Sequence, residues 1–457
     1  MKTILLFFFC IIICLAPAFS QNQFDGIRSS NYLGVKSVFF NPANIADNPY
    51  KWDVSLLSAN AGAGDLNASF SIKTINGKMG NQTDSVLFGS NAKAASAYAG
   101  IDIMGPGFMI SLNKKTSLAF TTRARVMVNI HDIDGKLVNA IQSGNSNNLP
   151  YTLASSGNQF ISANGWTDFG VSLGQVLLDN GHHLLKAGIT FKCLAGHSNN
   201  YLQVNNISGT ANYDATGTYL TSAGGTVQIG EGGADLSKIS SSNAFQFNGA
   251  GAGADIGLVY VFGEQKSTAK NYTTAYKFKV SVAVLDLGSI SYKANPAYTA
   301  GYSVNIPAAQ KFYVSNLKDS SISGIKTALD QSPYFKNLNQ GNASYSVGLP
   351  TTLVGNVDLN LLSKFYLNLD ARLAFHDYSK YANPYYQNNF TLTPRYEGKF
   401  FGAYLPININ SLTGFNAGLA FRAGPLFIGS GSVLTSLFGT SRQADFYFGL
   451  HFGALRK

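Results

Sequence analysis

Cysteine is nearly absent from this 457-residue sequence: there are three, and Cys10 and Cys14 both lie in its extreme N-terminal apolar run. If that run is removed as a leader, Cys193 stands alone. This excludes an intramolecular disulfide framework and any cysteine-based zinc or redox motif. Charge is scarce too, at 12% of residues against the ~25% usual for soluble domains. The formal net charge of +10 is spread along the chain rather than clustered, which speaks against a nucleic-acid surface. After the leader no run approaches the ~18 apolar residues of a membrane helix. The six histidines (131, 182, 183, 197, 376 and 451) show no paired metal spacing on one strand face, and no EF-hand loop is present. No nucleophile and base fall in a motif that would bring them within hydrogen-bond reach. The expectation is a non-enzymatic protein with no cofactor and no metal.

What is present is aromatic and glycine-rich, with 24 Tyr, 32 Phe and 47 Gly. Lys2, the apolar run Ile4 to Leu15 and the small residues of Ala18-Phe19-Ser20 form a secretory signal peptide over 1–20, with cleavage expected before Gln21. An exported chain with few charges, many aromatics and no spanning helix points to a transmembrane β-barrel. In such a barrel, apolar residues are distributed over alternate strand positions.

Period-two alternation supports this. Leu118, Phe120, Ala124, Val126 and Val128 share one parity, while Thr121, Arg123 and Arg125 share the other. A helix would set the two arginines about 200° apart, whereas a strand points them the same way. The pattern recurs over 184–193, 276–284, 365–376 and 445–452. Several of these runs reach the ~9–11 residues of a tilted bilayer crossing, longer than common soluble strands. Polar segments near 131–165, 203–244, 293–345 and 377–411 read as long loops on one side, opposite short turns at 113–115 and 179–183. A helix is expected around Leu317 to Leu329, where Ile322, Ile325 and Leu329 have helical spacing.

The stretch GAGAGADIGLVYVF (249–262) carries the glycine spacing of a dinucleotide fingerprint. That motif requires a helix to begin within the glycines. Here strand formers follow instead, from Ile256 to Phe262. Gly249, Gly251, Gly253, Asp255 and Gly257 share one face, and Ala250 to Phe262 supply an apolar one. The stretch is expected to be a wall strand whose bare inner face admits a plug segment or a bent backbone.

Segments such as GPGFMISLNKKTSLAFTTRARVMVN (105–129), HHLLKAGITFKCLAGHSNNYLQVNN (182–206) and VGLPTTLVGNVDLNLLSKFYLNLD (347–370) resemble a Bacteroidetes-type outer-membrane β-barrel family filed as a domain of unknown function. FFNPANIADNPYKWDVSL (39–56) is more distantly similar to the Asn-Pro-Ala segment of FadL-type transporters and PorV-type secretion barrels. The resemblance implies an all-β, antiparallel transmembrane barrel of about 14 strands, in line with strands of ~10 residues plus loops. It also implies an N-terminal inner segment over 21–50, with Asn41, Pro42 and Ala43 as a hatch, and a barrel over 51–457.

Ten charged residues fall on the expected inner faces: Arg123, Arg125, Lys186, Lys192, Asp255, Lys277, Lys279, Asp370, Arg372 and Arg422. They would either tune solute passage or brace a closed lumen with ion pairs. His376 and His451 are also candidates to face inward. The functional expectation is an outer-membrane barrel of a Gram-negative bacterium that passes or binds a hydrophobic or small solute. The alternative is a structural or partner-binding barrel whose Tyr- and Asn-rich loops, such as YSKYANPYYQNNF (378–390), contact a protein or glycan. Outer-membrane lipid is the expected surround in either case, and no nucleic-acid partner is expected.

Overall fold

The structure is a computed structural model that describes residues 24–69, 71, 94–136, 149–154, 157–233, 246–263, 276–317, 322–338 and 344–456. The leader expected over 1–20 lies outside these residues. Fourteen antiparallel strands form a closed wall. In chain order the first seven are β1 (Tyr50–Asp65), β2 (Ala95–Met104 continuing as Gly107–Ser111), β3 (Thr116–Ile133), β4 (Asn158–Asp179), β5 (His183–Asp214), β6 (Gly249–Phe262) and β7 (Phe278–Lys293). Then come β8 (Ser344–Gly348 continuing as Thr352–Leu362), β9 (Phe365–Ala374), β10 (Asn389–Glu397) and β11 (Phe401–Tyr404 with Ile407–Asn410). The last three are β12 (Gly414–Ala417 with Leu419–Ala423), β13 (Leu426–Ser430) and β14 (Gln443–Leu455). Closure is made by β1 and β14, in register from Tyr50↔Leu455 to Gly64↔Gln443, so the wall has no free edge. Pro106, Pro350 and Pro406 fall at the interruptions of β2, β8 and β11, because proline has no N–H for the ladder.

The expected parity holds along the wall. Leu118, Phe120, Val171, Phe191, Ile256 and Phe446 are exposed on the outside, while Arg123, Arg125, Lys192 and Asp255 are buried inside. Such an apolar outer surface suits lipid and would aggregate in water. Aromatic pairs gather toward the short-turn end, with Phe262–Phe278 at 5.2 Å, Phe365–Tyr396 at 5.3 Å and Phe401–Phe421 at 6.5 Å between ring centroids. They sit where an interfacial girdle belongs. Turns at 112–115, 180–182, 363–364, 398–400 and 424–425 are short, and apart from the one between Phe262 and Phe278 the long connections are at the other end.

Those long connections are more ordered than the polarity of the sequence suggests. The 203–244 region is not a loop as far as 233: β5 runs on to Asp214 and returns as Gly217–Gly233, in antiparallel register from Ser198↔Gly233 to Asp214↔Gly217. Ala300–Ile306 pairs with that returning strand. β4 begins inside the expected 131–165 loop, and β10 and β11 lie inside the expected 377–411 loop. Strands outside the bilayer need no continuous lipid face, and Pro394 within β10 and Pro406 between the halves of β11 mask the alternation there. Leu153, Ile207, Leu220, Ile229, Ile306 and Phe312 build an apolar core in this outer lobe. The expected helix is shorter at its start. It is α1 (Ile322–Asp330), with Ile325 and Leu329 buried, and the stretch Val314–Leu317 is a 3-10 turn. On the opposite flank β13 stops at Ser430 and is followed by the short helix α2 (Val433–Phe438).

Candidate functional site

Residues 24–49 fill the lumen and lead into β1 at the short-turn end. They form three 3-10 turns, Ile27–Ser29, Gly34–Phe39 and Pro42–Ile45, which pack against the inner wall. The Asn-Pro-Ala motif explains the last turn. The Asn41 side chain accepts from the Ala43 N–H at 2.9 Å and caps it, while Pro42 needs no donor at the first helical position. The same Asn41 amide donates outward to the carbonyls of Leu258 (3.2 Å) and Val282 (3.1 Å) on β6 and β7.

Three wall glycines make this seat. A Cβ on Gly257 would stand 2.1 Å from Asn41 Oδ1, one on Gly188 would stand 2.3 Å from the Ala43 nitrogen, and one on Gly174 would stand 2.6 Å from Ile45. The bare inner face of 249–262 therefore serves close approach by the N-terminal segment at Gly257. Further anchors are polar. Lys186 Nζ donates to the Ala46 carbonyl at 2.8 Å, Asp53 accepts from the Val35 N–H at 2.8 Å, and Arg28 pairs with Asp370 at 3.1 Å. Ser30 donates to Glu397, and the Tyr447 hydroxyl donates to the Asp25 carbonyl.

Above this segment the lumen is cross-braced. Arg123 binds Asp102 through Nε (2.8 Å) and Nη2 (2.7 Å). Arg125 reaches Asp168 (2.5 Å) and Asp286 (2.6 Å), and its guanidinium lies 4.6 Å from the Trp166 ring. Lys192 bridges Asp255 (2.6 Å) and Asp286 (2.7 Å). Nearer the short-turn end Arg395 holds Asp358 at 2.6 Å and Glu397 at 3.4 Å, and Lys279 donates to Asn31 at 3.0 Å. Arg422 donates to the carbonyls of Gly398 (2.5 Å) and Lys399 (3.1 Å), and Arg372 stacks on Tyr386 at 5.1 Å.

Nine of the ten charges expected inside are thus gathered there. Lys277 is the exception: it is exposed in the turn just before Phe278, where the alternating pattern outruns the wall. His451 faces inward and pairs with Asp53 at 2.7 Å, whereas His376 lies beyond the end of β9 and is exposed. The acidic partners Asp102, Asp168 and Asp358, with Arg395 and Glu397, are not singled out by the sequence reading. Their parity within β2, β4, β8 and β10 is the signal that would have found them. Asp286 carries no such signal. It turns inward at a bulge, with φ +60°, where the β6–β7 register shifts between Val284 and Leu287. Among the described residues no group of three His, Cys, Asp or Glu side chains is placed to hold a metal ion.

The other end is closed by the chain between β9 and β10. This segment, expected to face outward, folds into the barrel mouth. Tyr385 exchanges hydrogen bonds with the Asn129 side chain (3.0 and 3.3 Å), and Asn199 donates to the Ala382 carbonyl at 2.8 Å. Tyr386 is buried against Met127, Trp166 and Leu194, with its hydroxyl 3.4 Å from Arg125 Nη1. Between this inward fold, the outer parts of β5, β7 and β8 and the returning strand Gly217–Gly233 lies a cavity of about 530 Å³. Tyr201, Tyr345, Tyr381, Gln228 and Asn383 are among its lining side chains.

A closed, lipid-facing wall, an N-terminal segment wedged into its lumen and a second closure at the mouth define a plugged barrel of outer-membrane type. Residues 42–431 match the family of unknown function DUF5723, and the chain belongs to that family. No curated protein matches it. Among solved structures it is similar to a Pseudomonas aeruginosa FadL homologue, at 10% identity over 92% of this chain and 94% of that one, with a TM-score of 0.43. It is also similar to the Pseudomonas putida toluene transporter TodX, at 11% identity over 95% and 99% of the two chains, with a TM-score of 0.36. The Escherichia coli outer membrane protease OmpT is more remote, at 8% identity over 88% and 95%, with a TM-score of 0.21.

Proposed function

We propose that this protein lies in the outer membrane of a Gram-negative envelope and binds a small solute in its outward cavity. The solute passes through the lumen only when both the inward fold at the mouth and the N-terminal segment move. The observation that carries this reading is the pairing of a closed lumen with a cavity beside its outer seal. Asn41, Pro42 and Ala43 are then the hatch, held by hydrogen bonds and close packing that a displaced segment would re-form. The ion pairs of Arg123, Arg125 and Lys192 belong to the brace of the resting state rather than to an open selectivity filter. The lipid-facing belt meets outer-membrane lipid.

The arrangement is tested by thiol labelling of intact cells with a membrane-impermeant maleimide, in a Cys193→Ser background. Gly301→Cys, on the cavity wall, is expected to label. Thr190→Cys, at a buried lumen position hydrogen-bonded to Ser172 at 2.7 Å, is expected to stay protected. Labelling at Thr190→Cys, or shielding at Gly301→Cys, overturns the reading.

A second reading has its own support in the outer lobe. A strand pair extending β5 for up to roughly 60 Å beyond its contact with β6, with an apolar core of its own, is more than a solute-binding barrel needs. In that reading the protein is a structural or secretion-associated barrel that holds a protein or glycan partner without transport.

A further inference from the structure

We propose that the outward cavity is a binding site for a neutral saccharide. This rests on the reading that the cavity is where solute binds, and it names the chemistry of that solute.

The first observation is the aromatic wall. Tyr201 meets Tyr381 at 5.1 Å and 61°, and Tyr345 at 6.0 Å and 84°, so the rings form a corner rather than a stack. A corner of this kind offers a ring face to an apolar patch of C–H groups, with hydroxyls at its rim. The second observation is the polar lining that the protein leaves unused. Among the described residues, the hydroxyls of Tyr201, Tyr381, Ser289 and Ser346 have no hydrogen-bond partner, and neither does the Gln228 side-chain amide. Asn383 spends its Oδ1 on the Gly348 N–H at 2.9 Å, and its Nδ2 has no partner among these residues. Tyr345, by contrast, is fixed, since its hydroxyl donates to Asn199 Oδ1 at 2.8 Å. The corner is thus held in place while the groups around it remain available.

The third observation is charge. Among the described lining residues, exposed Lys380 is the one charged side chain, and none of them carries a carboxylate. A cationic ligand would find no counter-charge among these residues, and an anion would meet only a lysine already exposed to water. A purely apolar ligand would strip water from several amides and hydroxyls and give nothing back, at roughly 1–3 kcal/mol per group left unsatisfied. Groups that both donate and accept, set around an aromatic corner, match a ring that carries hydroxyls on its edge and C–H bonds on its face. The volume of about 530 Å³ lies within the ~300–1,000 Å³ typical of small-ligand sites.

Saturation-transfer NMR on the full-length protein in nanodiscs, with maltose, cellobiose and lactose as neutral probes and toluene and decanoate as apolar ones, tests the inference. At least one disaccharide is expected to receive saturation on its ring protons. The transfer should fall at least tenfold in Tyr381→Ala and in Gln228→Leu, with heat-modifiable gel migration showing that both barrels are folded. Absence of transfer to all three sugars, or transfer unchanged in both variants, overturns the proposal. Transfer to the apolar probes alone, lost in the same variants, overturns the saccharide chemistry while leaving the solute-binding reading intact. No transfer to any probe removes both.

Discussion

Gly257 and Gly355 are both wall glycines, yet they ask different things of a side chain. A Cβ at Gly257 would meet Asn41 at 2.1 Å, whereas one at Gly355 would meet nothing within 4 Å. Gly257→Ala is therefore expected to lose about 1–3 kcal/mol, the usual cost of overpacking, and Gly355→Ala to stay near wild type. Unfolding in urea from lipid vesicles, followed by the two tryptophans, Trp52 and Trp166, reads both. The brace allows a second contrast. Arg125→Met leaves Asp168 and Asp286 buried beside one fewer cation and is expected to cost about 3–5 kcal/mol. Tyr386→Phe removes the 3.4 Å contact to the same arginine, leaves both carboxylate pairs in place and should cost about 1 kcal/mol. At this scale, sequence parity is enough to turn Arg123, Arg125, Lys192 and Asp255 inward. Their partners across the lumen depend on the curvature of a closed wall, which no local pattern encodes. Asp286 depends on a bulge, where one extra residue reverses the parity on which the whole reading rests.

Among the elements, the wall strands with a lipid face are mostly legible, β10 and β11 excepted, and those outside the bilayer are not. Alternation in 116–128 or 365–374 records two different solvents, lipid and lumen. The outer parts of β5 and the returning strand 217–233 face water or a small private core, so Asn, Ser, Thr and Gly read there as loop. The tip of this extension carries a testable electrostatic contact. Lys311 donates to Asp214 at 2.7 Å and also lies 4.4 Å from the Tyr219 ring. The Lys311 hydrogen bond holds the Asp214 carboxyl down to about 2, below its ordinary 3.8. A carboxyl lowered by folding contributes stability that is complete above the unfolded value and fades as pH falls through the folded one. The clasp is thus expected to be intact at pH 5 and above and to loosen between about pH 4 and 2. Carbon-13 titration of Asp214 reads its midpoint. Lys311→Ala should move that midpoint up toward 3.8, and an unchanged midpoint would show that the lysine is not its cause.

For the whole molecule, Gly257 of the 249–262 strand and the Asn-Pro-Ala motif turn out to be two halves of one contact, whereas Gly249 and Gly251 lie close against β7 instead. The two ends of the lumen are closed by different means, the N-terminal segment at one and the inward fold carrying Tyr385 and Tyr386 at the other. The mouth closure was not legible in the sequence, because a Tyr- and Asn-rich segment looks the same whether it meets water or the interior of a polar barrel. Closure from both ends is the central claim, and single-channel recording in planar bilayers tests it most directly. The intact protein should give no conductance steps. A variant lacking residues 24–48 and with 378–387 replaced by a Gly-Ser linker, migrating as a folded barrel, should give steady open-pore steps. Steps from the intact protein, or silence from the doubly opened variant, would contradict the account.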